Sequence, residues 1–355
     1  MGDQRRQSVA IIGAGITGLT IAFELSRRGI AVDIYEASSS IGGELGVINV
    51  NGEPVERYYH HLFRGDSEIL GLCKDLGISE FVKWYAPSMG FYSDGSLFDF
   101  TTPIHLLRFR PLSLVDRLRM GVATMYLQRI RNHARFEDIR ASIYLPKLTG
   151  HRAFEKIWRP LLMAKFGEQW DEISMAWFWG RVHVRFQSRS RFGLREELGY
   201  VDGSFASISD ALARRVEDLG GRILVGTPVE SVLHEGLRVT GLRAGGEERS
   251  YDHVIGTVGL PILRRLLGPG FLSDEVGSID YRAALVMLLQ LDRAAGRNYW
   301  TNIGDQRLPF AGLIEHTNFV SPDRYGGAHL LYVSNYVKSD DYLFALSDDD
   351  LFDKY

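Results

Sequence analysis

Residues 8–43 read SVAIIGAGITGLTIAFELSRRGIAVDIYEASSSIGG, an apolar stretch interrupted by Gly13, Gly15 and Gly18. Each glycine weakens a strand or helix relative to alanine, so bare backbone at these positions must serve a purpose. Ser8 to Ile12 is a β-branched run of the kind buried on both faces of a parallel sheet. From Ile16 to Arg28 the residues Leu19, Ala22, Phe23 and Leu25 recur at helical spacing, and Gly29 closes the helix. A second strand is expected over 31–35, ending at Glu36.

This order gives each glycine a task. Gly13 permits the tight turn, Gly15 lets backbone approach a pyrophosphate, and Gly18 lets the helix pack closely on the sheet. Ala14, Ile16 and Thr17 complete the turn and the first helical residues, whose unpaired N–H groups and partial positive charge favour phosphate. Glu36, followed by Ala37, stands where a carboxylate accepts from both ribose hydroxyls, and the same charge disfavours a 2′-phosphate, so NADP is not expected. A glycine motif alone is weak, since a glycine-rich loop also explains it. Here strands, helix and acid fall in register, and the α/β dinucleotide-binding reading follows.

The bulk composition agrees. At 355 residues the chain is long enough for two domains, and with 45% hydrophobic and 24% charged residues it is an ordinary globular sequence. A net charge of −3 argues against nucleic acid as a partner. Cys73 is the sole cysteine, which excludes an intramolecular disulfide and a multi-cysteine metal site and fits a reducing cytoplasm, with Cys73 as a small buried apolar residue. The opening RRQSVAII imitates a twin-arginine export signal. Glycines interrupt its apolar run and no cleavage site follows, so a cytoplasmic location is expected.

Past Glu36 the chain runs through EASSSIGGELG (36–46), whose Gly42-Gly43 pair resembles the flavoprotein form of the fingerprint. GEPVERYYHHLFRGDSEILGLCKDLGI (52–78) and EKIWRPLLMAKFGEQWDEISMAWFWGRV (155–182) resemble the flavin-containing amine oxidase superfamily, more closely its bacterial protoporphyrinogen-oxidase-like NAD(P)/FAD-dependent oxidoreductase branch. So do GYVDGSFASISDALARRVEDLGGRILVGTPVESV (199–232) and LPFAGLIEHTNFVSPDRYGGAHLLYVSNYV (308–337). The resemblance implies FAD as cofactor. It also implies a Rossmann-like FAD-binding domain of the GR2/amine-oxidase type over 1–75 and 199–260, with an interleaved α+β substrate domain over 76–198 and 261–355. Gly42, Gly43 and Glu44 would then lie along the FAD, Glu44 replacing the family's usual basic or apolar residue. Val229 would pair its backbone with the adenine, although an ordinary buried strand valine fits the same position. The family's C-terminal FAD segment has no counterpart in LSDDDLFDKY (346–355) and reads as missing, which implies a weakened flavin site.

The 199–232 block also reads physically, as a helix over 205–219 with Ile208, Leu212, Val216 and Leu219 on one face, then strands over 223–225 and 229–232. DHVIGTV (252–258) is a further core strand.

By the resemblance, His60 and His61 pass near the flavin ring and are the catalytic candidates. Adjacent strand residues face opposite ways, so at most one points at the ring, and a structural role for both stands as the alternative. Without further ligands the pair is no metal site. Glu315 and His316 are weaker candidates for the substrate side, and WFWGRV (177–182) reads as core. From His105 to Arg135 seven arginines, Arg108, Arg110, Arg117, Arg119, Arg129, Arg131 and Arg135, stand against Asp116. They suit a solvated helix face, an anionic or lipid-like small-molecule substrate, or peripheral contact with a membrane surface. A second basic cluster occupies 181–195.

Three functions remain in competition: an FAD-dependent oxidoreductase removing a hydride from an amine or C–H bond, a redox-neutral flavin-dependent isomerase or mutase on a nucleotide-sugar or isoprenoid, and a non-catalytic remnant. Fold alone does not arbitrate among them.

Overall fold

Ser8–Ile12 (β1), Ile16–Ser26 (α1) and Ala31–Tyr35 (β2) form the expected strand–helix–strand unit in the computed structural model, which describes residues 7–188 and 196–355. Arg5, Arg6 and residues 189–195 of the second basic cluster lie outside the described residues. The unit is completed much later in the chain by Ala206–Asp218 (α2), Arg222–Leu224 (β3) and His253–Gly256 (β4). The four strands make one parallel sheet in the order β3-β2-β1-β4.

Strand alternation explains why β1 is apolar throughout. Val9 and Ile11 pack with Leu19 and Phe23 of α1 and Ile208, Leu212 and Val216 of α2. Ala10 and Ile12 face the other way, against Val232 and Leu242 of an antiparallel sheet (229–235, 238–244, 247–250) and Leu266. Cys73 is buried, as its composition role required.

The rest of the chain builds a second body around a six-stranded sheet, ordered 282–291, 329–338, 312–315, 300–303, 89–93, 96–99. Only the pair 300–303 and 89–93 is parallel. A helical lobe over 103–187 covers one end, with Trp177, Phe178 and Trp179 in its core as the sequence indicated. Within it, Phe154–Trp158 forms a π-turn just before Pro160, whose missing N–H prevents an ordinary helical hydrogen bond there. Leu198–Val201 pairs with both 62–63 and 82–85, so this small sheet straddles the boundary drawn at 75/76.

Candidate functional site

The glycine turn folds around a bend at Gly13, which adopts a φ of +104° and donates its amide to Tyr35 O at 2.8 Å. A Cβ on Gly18 would lie 2.0 Å from Gly13 O, so only glycine lets α1 approach the turn this closely. Gly15 is different. It precedes the first turn of α1 in an ordinary extended conformation, and a Cβ there would meet nothing nearer than Gly43 Cα at 4.0 Å. Ile16, Thr17 and Gly18 open the helix with no side-chain cap and no acidic residue in the first turn. Space over bare backbone beside an uncapped, partly positive helix end is what a diphosphate needs.

Glu36 closes this cradle from the side. Its carboxylate accepts the Ala14 amide at 2.8 Å on one oxygen and the Ser38 amide at 2.8 Å on the other. Each carboxylate oxygen has two acceptor positions, so two remain for ribose hydroxyls while the amides fix the orientation. Ala37 is exposed beside it. Gly42 (φ +106°) and Gly43 (φ +57°) need glycine's freedom, and Gly42 pairs with Gly15 through its amide on Ala14 O at 2.9 Å. Glu44 is exposed in the short turn that follows. Val229 begins the strand 229–235 half-buried against Ala10, Ile12 and Tyr35, close to the point where the Thr227 amide reaches Glu36 O. The residues named for the cofactor thus converge on one cradle, except Val229, which lies at its edge.

A hairpin (47–50, 53–56) carries the chain from this cradle to the large sheet, and Glu56 anchors the crossing. Its buried carboxylate accepts Tyr200 Oη at 3.0 Å and the Phe205 amide at 2.7 Å, while Tyr332 Oη donates to Glu56 O at 2.6 Å. Burial pushes the Glu56 carboxyl upward against those bonds.

Beyond Glu56 the two histidines part. His60 Nδ1 lies 2.6 Å from Tyr58 O and its ring tilts against Phe205. His61 enters an aromatic wall, edge-on to Phe63, Tyr299 and Trp300, with Nδ1 3.3 Å from Tyr299 Oη. Burial first, then the charges of Arg185, His60 and Arg181, pull its pKa down to about 3, so the imidazole is neutral at physiological pH. Tyr59 belongs to the same wall, its hydroxyl 3.1 Å from Ser334 Oγ and 3.2 Å from Tyr336 Oη, its ring against Trp300. Arg181 and Arg185 of Met175–Gln187 bring positive charge to this wall; Arg185 pairs with Glu196 at 3.4 Å, whereas Arg181 lies over the Trp177 ring.

Glu315 and His316 do not line an open face. Glu315 accepts the Ala295 and Gly296 amides at 3.0 and 2.8 Å, and His316 Nε2 lies 2.8 Å from Tyr325 Oη, both residues buried. Sequence reading missed Glu56, Tyr59, Trp300 and Arg181 as site residues. Two local traces existed: the pairing of an acid with a tyrosine-rich stretch (Glu56 to Tyr59), and the basic cluster at 181–195 that Arg181 opens.

Among described residues there is no cluster able to hold a metal. A 72-residue stretch is 35% identical to protoporphyrinogen oxidase 2 of Arabidopsis thaliana, covering 20% of this chain and 14% of that protein. Another of 127 residues is 32% identical to the zeta-carotene desaturase of Zea mays, covering 32% and 22%. The chain therefore spans well under two-thirds of these relatives. Its fold superimposes on an oxidoreductase from Methanosarcina mazei with a TM-score of 0.75 at 20% identity, covering 98% of this chain and 82% of that one. The model of the family described as flavin containing amine oxidoreductase matches residues 16–355, and the chain belongs to that family.

Proposed function

We propose that the protein is an FAD-dependent oxidoreductase that removes a hydride from a C–H bond of an amphipathic, anionic substrate. The observation that carries this reading is the cradle: open space over Gly15, an uncapped helix start and a Glu36 carboxylate with two acceptor positions left. When bound, the flavin supplies the hydride acceptor. The chain's own residues do the rest. The first turn of α1 binds the diphosphate and Glu36 orients the ribose. Tyr59, Tyr299 and Trp300 exclude water from one side of the reaction volume. His61, held neutral, adds a polar Nδ1 to that wall without adding charge. Arg181 and Arg185, whose charges both reach His61, attract the anionic end of the substrate.

The test begins with the visible spectrum of the purified chain before and after FAD addition. Flavin bands that persist through desalting support the reading, and a spectrum identical to free FAD overturns it. Steady consumption of an electron acceptor supports an oxidoreductase, whereas turnover only after prior reduction, without acceptor consumption, assigns the mutase alternative instead. An Arg181→Ala variant should raise KM for an anionic substrate with little change in kcat, the signature of lost uniform binding.

A further inference from the structure

The helix Leu114–Arg129 is apolar on two opposite sides. Its inner side, Met120, Ala123 and Leu127, is buried in the helical lobe. On its outer side Leu114, Val115, Leu118, Val122 and Met125 share one face at helical spacing and are 60%, 73%, 54%, 61% and 48% exposed. Ile104 and Leu107 of the preceding helix Pro103–Arg108 continue the patch at 59% and 44%. A contiguous apolar face of this kind in water marks a docking surface.

Charge identifies what docks. Arg108, Arg110 and Arg117 line a cleft beside the patch, with Phe98 and Leu107 as its apolar walls. Arg117 is fixed there, Nε donating to Leu112 O at 2.8 Å and Nη1 to Leu107 O at 2.7 Å, while Arg108 and Arg110 are exposed. Asp116 is the one acid in residues 104–131, and Ser113 Oγ already holds its carboxylate at 2.6 Å. The same face of a second copy would bring more arginines and only an Asp116 carboxylate that Ser113 already holds. A phospholipid surface offers both needed halves: phosphates for the guanidinium groups and an acyl boundary for the apolar stripe. Among described residues no helix is long and apolar enough to cross a membrane, so the contact is interfacial.

We propose that the outer face of Leu114–Arg129, with the Arg108–Arg110–Arg117 cleft, seats the protein on an anionic lipid surface, the helix lying in the plane of the headgroups. Trp179 ties this helix to the site, its Nε1 donating to Leu127 O and Ile130 O at 3.1 Å each, and Trp179 shares Met175–Gln187 with Arg181. The inference is independent of the redox reading.

The test is vesicle flotation of the full chain with phosphatidylcholine alone and with phosphatidylcholine containing phosphatidylglycerol. Binding to the anionic vesicles only, weakened by added salt, is expected. Arg108→Glu/Arg110→Glu should lower partitioning at least about 30-fold, and Leu118→Asp/Val122→Asp at least about tenfold even at low salt. All four side chains face outward, so both variants should keep the parent circular dichroism spectrum. No binding to anionic vesicles, or equal binding by both variants and parent, overturns the proposal. So does a dimer in sedimentation that the Leu118→Asp/Val122→Asp variant abolishes, because the stripe would then cover a second copy.

Discussion

Gly15 and Gly18 lie one helical turn apart and do opposite work. A methyl on Gly18 collides with Gly13 O, so Gly18→Ala should destabilise the protein by about 1–3 kcal/mol even without cofactor, as overpacking does. A methyl on Gly15 collides with nothing, and its φ of −70° suits alanine. Gly15→Ala should leave the melting temperature of the cofactor-free protein unchanged and weaken FAD binding at least about tenfold, about 1.4 kcal/mol. Thermal denaturation and a fluorescence titration with FAD separate the two. Equal loss of stability in both variants would refute the division of labour. His316 makes a pH prediction. Burial holds its folded pKa down to about 3 against an unfolded value of 6.5, so between these values the unfolded chain binds a proton that the folded one does not. Its contribution is complete above pH 6.5 and declines as the pH falls toward 3. Denaturant unfolding at pH 7 and pH 5 should show a loss of about 2 kcal/mol from this group, absent in His316→Gln.

Between elements, the attachment of β3 to β2 depends on a polar strand residue. Asp33 is held by Arg222 in a two-pronged pair at 2.6 and 2.5 Å and by Tyr251 Oη at 2.5 Å, with Tyr35 Oη 2.7 Å from Tyr251 Oη. Burial raises its pKa, yet the bonds from Arg222 and Tyr251 outweigh this and leave it lowered. Asp33→Ala should cost about 1–3 kcal/mol, because the buried Tyr251 hydroxyl and the Arg222 guanidinium lose their acceptor. Asp33→Asn should recover part of that in the same unfolding assay. Nothing local announced this role. In AVDIY (31–35) the aspartate reads as a blemish in an apolar strand, since the partners that justify it, Arg222 and Tyr251, come from much later in the sequence. The glycine turn was legible for the converse reason: the bend, the helix start and the acid that define it all fall within residues 13–36. The helix ends were also legible, the expected spans 16–28 and 205–219 shrinking only to 16–26 and 206–218.

Across the molecule, the aromatic wall escaped sequence reading because Tyr59, Arg181 and Trp300 meet only after the chain has folded back through two sheets. The helix 114–129 was legible as a basic helical segment, but its exposed apolar side was not, because its spacing shows two apolar sides without showing which one the lobe covers. FAD should raise the melting temperature of the whole protein, since a ligand at about 100 times its dissociation constant contributes about 2.7 kcal/mol. The shift should fall to about half in Gly15→Ala, since a tenfold weaker affinity leaves about 1.4 kcal/mol at the same FAD concentration. The parallel sheet carries one more consequence. Its two inner strands, β1 and β2, are the first made, while its flanking strands β3 and β4 end at Gly256. On the ribosome, at roughly 5–20 residues per second, the leading hairpinless pair must wait on the order of tens of seconds with both borders unpaired. Newborn chains are thus exposed to chaperones and to sticking together during that wait, and the sheet that backs the glycine turn closes only once Gly256 has been made.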